Sequence, residues 1–139
     1  MSRWDQNESE EFAKLTGALL LSLRGTPCLY QGEELGQVET DLEFEELTDP
    51  PGIRFWPLNK GRDGCRTPMT WDHQLNNAGF TEGQPWLPVK NKQQDRSVTI
   101  QENNDESVLN LYKKLIEFRK ENEPLVKGNQ VFIHDEKNI

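Results

Sequence analysis

A chain of 139 residues has the length of one ordinary domain, yet only 33% of it is hydrophobic, 29% is charged, and the mean hydropathy is −0.86, so it is short of the apolar surface such a domain buries. The net charge of −8 excludes a general nucleic-acid partner, because phosphate binding needs a basic stripe, and suits a soluble chain that meets neutral ligands such as sugars. No apolar run reaches the length of a membrane span: Leu19–Leu23 is too short and lacks signal-peptide flanks.

Asn7 followed by Glu10 reads as a capping box, and Phe12, Leu15, Leu19 and Leu23 then recur at helical spacing. A helix is expected from about Glu8 to Leu23, with Gly25 supplying the left-handed residue that ends it. The apolar run Thr26–Tyr30 follows at once, bounded by glycines, and reads as a buried parallel strand with Cys28 as a buried thiol. From Glu33 to about Asn104 periodicity is lost, an excursion of a length that is typically functional when it occurs inside a domain. Its acidic run of Glu39, Asp41, Glu43, Glu45, Glu46 and Asp49 reads as a solvated face, because a calcium loop needs another spacing and a glycine. A second helix follows, capped by Asn104 or Asp105, with Val108, Leu111, Tyr112, Leu115 and Ile116 as its apolar stripe. Beyond Pro124, Val131–Ile133 reads as the beginning of a further strand.

Within the excursion, Gly61–Trp71 places two arginines, an aspartate and an indole among Gly61, Gly64 and Pro68. Those turn residues make it a loop, and its charges admit two readings. Arg62 and Arg66 are planar donor forks able to clamp carboxylates or hydroxyl-rich ligands, whereas a bland surface loop would pair its arginines with Asp63. Cys65 reads as a structural thiol. The two cysteines lack a metal-ligand spacing and His73 and His134 lie far apart, so neither a metal nor a cofactor is expected. One parallel strand and two helices cannot close a sheet, so the chain is expected to be a piece of something larger.

Four segments resemble one family in the same order: Arg24–Gly36 (RGTPCLYQGEELG), Gly61–Asp72 (GRDGCRTPMTWD), Asn77–Phe80 (NAGF) and Pro85–Pro88 (PWLP). Leu111–Arg119 (LYKKLIEFR) continues the match. The family is the α-amylase superfamily of glycoside hydrolases, in its α-glucosidase and oligo-1,6-glucosidase branch. The resemblance implies an α/β fold: a fragment of a (β/α)8 barrel running from helix 7 through strand 8, a long βα loop 8 and helix 8 into the start of a C-terminal β domain. Residues 1–123 would belong to the barrel and 124–139 to the linker and first strand of that β domain.

The same resemblance implies retaining hydrolysis of α-glucosidic bonds by an aspartate nucleophile, a glutamate acid and a second aspartate that grips sugar hydroxyls. Those three carboxylates belong to strands 4, 5 and 7, the last in an Asn-His-Asp motif just upstream of the segment matching Ser2–Trp4. No catalytic role therefore transfers to this chain, and alone it is expected to be inactive. Binding roles do transfer. The position of Arg62 is, in relatives, an arginine in the subsite of the non-reducing glucose, paired with an aspartate from the first βα loop. Arg66 would brace the loop or touch the next sugar, and Asp63 would orient either arginine. Glu33 and Glu34 follow strand 8 and face the cleft, at least one of them with a structural role. Trp71, Phe80 and Trp86 stand as a sugar-stacking edge or as pins that hold the loop to its scaffold.

The expected partners are an oligosaccharide with a terminal α-glucose and the remainder of the barrel, in a cytoplasmic enzyme, with self-association of the isolated piece through its exposed apolar faces. A second reading is a non-catalytic relative acting as a scaffold or partner subunit. An autonomous sugar-binding module is disfavoured, because these elements cannot enclose their own core.

Overall fold

A computed structural model describes residue 5 and residues 7–133. The helices are α1 (Glu10–Ser22), α2 (Pro50–Phe55), α3 (Asn91–Gln94), α4 (Val98–Glu102), α5 (Val108–Glu121) and α6 (Glu123–Lys127), and no strand forms among the described residues.

The start of α1 is set by Ser9 rather than by Asn7. The Ser9 hydroxyl accepts the Phe12 N–H at 3.3 Å and is itself fixed by Asp5, whose carboxylate accepts both the Ser9 hydroxyl and its main-chain N–H, at 2.6 and 2.8 Å. Those bonds from Ser9 hold the Asp5 carboxyl below its ordinary range. Asn7 only donates its N–H to Asp5. Helix α5 likewise begins from Ser107, whose hydroxyl accepts the Asn110 N–H, and not from Asn104 or Asp105.

The two long helices pack on each other through Ala13, Leu21, Val108 and Tyr112, with Leu115 and Ile116 alongside. Gly17 permits this approach: a Cβ there would stand 2.6 Å from Cζ of Tyr112. At the far end of α1 the buried Arg119 donates to the carbonyls of Leu21 and Leu23 at 2.7 and 2.8 Å and to that of Gly25. One guanidinium thus satisfies three carbonyls at and just beyond the C-terminus of α1, where a cation is also favoured by the helix dipole.

The expected strand Thr26–Tyr30 finds no ladder partner, and Cys28, Leu29 and Tyr30 are exposed; Cys28 is thus not the buried thiol its apolar neighbours predict. A parallel strand exists only beside other strands and with both faces covered, and the described residues supply neither. Val131–Ile133 is exposed and unpaired for the same reason. The excursion, in contrast, has a core of its own, built from Leu42, Leu47 and Leu87 with Trp56 against them. His134 lies outside the described residues.

Candidate functional site

A cavity of about 400 Å³ opens between the turn after Tyr30 and the arginine loop. Tyr30, Gln31, Glu33, Gln37, Arg62 and Thr67 are among the residues lining it. The turn is built by its own acids. Glu33 accepts the Tyr30 N–H at 3.1 Å and Glu34 accepts the Gly32 N–H at 2.9 Å, while Gly32 turns the chain at φ +88°, a conformation that costs glycine little.

Three glutamines fasten the arginine loop to this turn. Gln31 donates to the Thr67 carbonyl at 3.2 Å. Gln37 donates to the Thr70 hydroxyl at 2.6 Å and to the Gln93 carbonyl at 3.1 Å, and Gln93 donates to the Thr67 hydroxyl. Such side-chain bonds fix loop backbone that regular structure would otherwise hold.

The loop itself is pinned from below by two carboxylates. Asp63 is buried and accepts the main-chain N–H groups of Thr48 and Asp49 at 2.6 and 2.7 Å, together with the Thr48 hydroxyl. Burial pushes its carboxyl up, but these donors and the Arg66 charge outweigh it and leave the group below its ordinary range. Asp49, also buried, accepts the Arg62 N–H at 2.9 Å and stands 3.6 Å from its guanidinium. The Arg62 side chain is 66% exposed on the pocket wall. Gly64 lies so close to the Thr40 carbonyl that a Cβ would approach to 2.6 Å, which keeps this corner free of side chain.

The residues singled out from the sequence therefore separate. Glu33 and Arg62 line one pocket. Asp63 is buried against the Thr48–Asp49 backbone, with both its oxygens engaged there. Glu34 serves the turn, and Arg66 accepts at its carbonyl the Trp86 indole N–H at 3.1 Å, both outside the pocket lining. Trp86 also meets Phe80 edge to face at 5.3 Å, so these two aromatics pack the loop, while Trp71 is half exposed. Gln31, Gln37 and Gln93 were not marked by the sequence, and Asp49, read there as part of a solvated acidic face, is instead buried because the Arg62 N–H and guanidinium meet its carboxylate. For Asp49 a signal existed: an aspartate directly before Pro50 and Pro51 has the form of a helix start, and it does precede α2.

Behind the turn a second cavity, of about 310 Å³, is lined by Phe12, Thr16, Leu20, Glu33, Gln37 and Tyr112. Burial first, and then the charges of Glu33 and Glu34, push the Tyr112 phenol up to about 12. Among the described residues no group of three acids, histidines or cysteines is placed to hold a metal ion, and no helix is long and apolar enough to cross a membrane.

Residues 1–128 match the family described as alpha amylase, catalytic domain. A probable alpha-glucosidase of Rhizobium meliloti (strain 1021) is 48% identical over 135 residues, covering 96% of this chain and 24% of that protein. The oligo-1,6-glucosidase of Bacillus cereus is 37% identical over 139 residues, covering 86% of this chain and again 24% of its own length. Among solved structures, the alpha-glucosyl transfer enzyme XgtA superposes with a TM-score of 0.78 at 50% identity, over 84% of this chain and 22% of its own. The trehalose-6-phosphate hydrolase of Bacillus licheniformis gives 0.78 at 30% identity, over 85% of this chain and 24% of its own. The chain thus spans about a quarter of the length of the curated relatives it matches, and the solved neighbours are (β/α)8-barrel enzymes. With its arginine loop, its closing helix and residues 1–128 all matched, this chain belongs to the alpha-amylase family of glycoside hydrolases.

Proposed function

We propose that this chain is part of a retaining, cytoplasmic α-glucosidase that hydrolyses small oligosaccharides, and that it supplies part of the glucose-binding wall but none of the catalytic carboxylates. The observation that carries the reading is the pocket in which Arg62 and Glu33 share a wall, on a loop braced by Asp49, Asp63 and three glutamines. A charged fork at the closed end of a cleft recognises a terminal sugar hydroxyl and admits only a chain end, which is the physical basis of exo-action. Sites of this kind in barrel enzymes gather where the βα loops meet, and the arginine loop is read as the eighth of them. Residues 1–123 complete the barrel and residues 124–139 lead into the following β domain. The remaining barrel covers Leu15 and Leu19, which are 64% and 59% exposed on α1, and the face of Thr26–Tyr30. In an isolated chain those faces are left to self-association.

Substitution of Arg62 in the full-length gene product tests the reading. Removing one charged hydrogen-bonding partner of a sugar hydroxyl is expected to raise KM for p-nitrophenyl α-glucoside about a hundredfold in R62A. An unchanged KM would remove Arg62 from the binding site. Absence of glucosidase activity from the unmodified full-length protein would favour a non-catalytic relative instead.

A further inference from the structure

Asp49 is only 4% exposed, and its carboxylate meets Arg62 twice, at the main-chain N–H and at the guanidinium. Its main chain is held on both sides. Its own N–H is held by Asp63 at 2.7 Å and its carbonyl accepts the Ile53 N–H at 3.0 Å. Space for its carboxylate is made by Gly61, which sits at φ +73° and where a Cβ would stand 2.5 Å from Asp49 Oδ2. Burying an anion is costly unless it is paired, and here the pairing is spent on the arginine that lines the pocket.

We propose that Asp49 is a positioning residue for substrate binding: it fixes the backbone and guanidinium of Arg62 at the pocket wall, so that the arginine meets a terminal sugar hydroxyl already oriented. The inference rests on the reading of Arg62 as a sugar-binding residue. Arg62 carries five N–H donors on a long side chain, and a fixed main chain with a carboxylate 3.6 Å from one terminal nitrogen biases its orientation while leaving the other donors for the ligand. One contact that orients this arginine would then come from the same loop, thirteen residues upstream, beside the aspartate of the first βα loop that the resemblance implies.

The test is a double-mutant cycle in the full-length enzyme, with KM and kcat for p-nitrophenyl α-glucoside measured for D49N, R62A and the pair. Asparagine keeps an acceptor for the Arg62 N–H but removes the charge that holds the guanidinium. D49N is expected to raise KM about tenfold with little change in kcat, and to add nothing further in the R62A background. Independent rises that multiply in the double variant would overturn the proposal, as would a D49N effect confined to the melting temperature. Should R62A raise KM while D49N leaves it unchanged, Asp49 alone is excluded. Should R62A leave KM unchanged, the reading of Arg62 fails and Asp49 falls with it. If D49N does not fold, D49S, which keeps a short acceptor before α2, is measured against the same outcomes.

Discussion

Asp63 accepts the main-chain N–H of Asp49 at 2.7 Å, and Asp49 in turn accepts the main-chain N–H of Arg62 at 2.9 Å. Two buried acids, each gripping the strand of chain that carries the other, close the arginine loop on itself. The clamp explains how a segment without regular structure holds a charged side chain at a pocket wall.

Replacing Asp63 is therefore expected to release the loop. D63A leaves the N–H groups of Thr48 and Asp49 without their acceptor, at a cost on the order of 3 kcal/mol, readable as a lowered denaturation midpoint. The folded carboxyl lies below its ordinary value, so the stabilisation is complete above about pH 4 and is lost as pH falls through the folded pKa. D63N should accordingly lose less stability than the unmodified protein between neutral pH and the acid limit. A parallel pH profile for the two proteins would count against the clamp.

Gly61 belongs to the same device. G61A imposes a left-handed φ on alanine and drives its Cβ toward the Asp49 carboxylate. Strain and displacement together are expected to cost about 2 kcal/mol, and in the full-length enzyme to raise KM alongside the loss of melting temperature.

Arg119 makes a prediction about helix closure. R119M leaves the carbonyls of Leu21, Leu23 and Gly25 without a donor and should cost about 3 kcal/mol in chemical denaturation. R119K should recover little of this, since one ammonium cannot span three carbonyls that a planar fork reaches together.

Gly17 separates helix propensity from packing. Alanine favours a helix interior by about 1 kcal/mol over glycine, yet its methyl would run into the Tyr112 ring. Overpacking costs about 1–3 kcal/mol, so G17A is expected to destabilise, and the combination with Y112L to recover part of the loss. A more stable G17A would mean that α1 and α5 are not in the contact described.

Both long helices were legible because their apolar residues recur at helical spacing, but their first residues were not. Asn7 and Asn104 are as good capping types as Ser9 and Ser107, and the choice fell to Ser9 because Asp5 holds its hydroxyl, a contact no spacing rule encodes. The apolar run at Thr26–Tyr30 reads as buried from its composition yet is largely exposed, because burial there needs neighbouring strands, which the described residues do not provide. The arginine loop announced itself by its glycines and charges. Asp49 was legible only as a helix start before Pro50, since within an acidic run no spacing shows which carboxylate folds inward to meet Arg62. The indole of Trp86 was open to either stacking or pinning; its bond to the Arg66 carbonyl and its edge contact with Phe80 hold it to the loop, while the residue is 59% exposed.

On the proposed reading, this chain contributes binding but not chemistry to an α-glucosidase. Hydrolysis of p-nitrophenyl α-glucoside by this chain and by the full-length product of its gene, measured side by side, tests it most directly. Activity in the long form alone is the predicted result. Turnover by the short chain would place catalytic carboxylates among residues assigned none and overturn that reading.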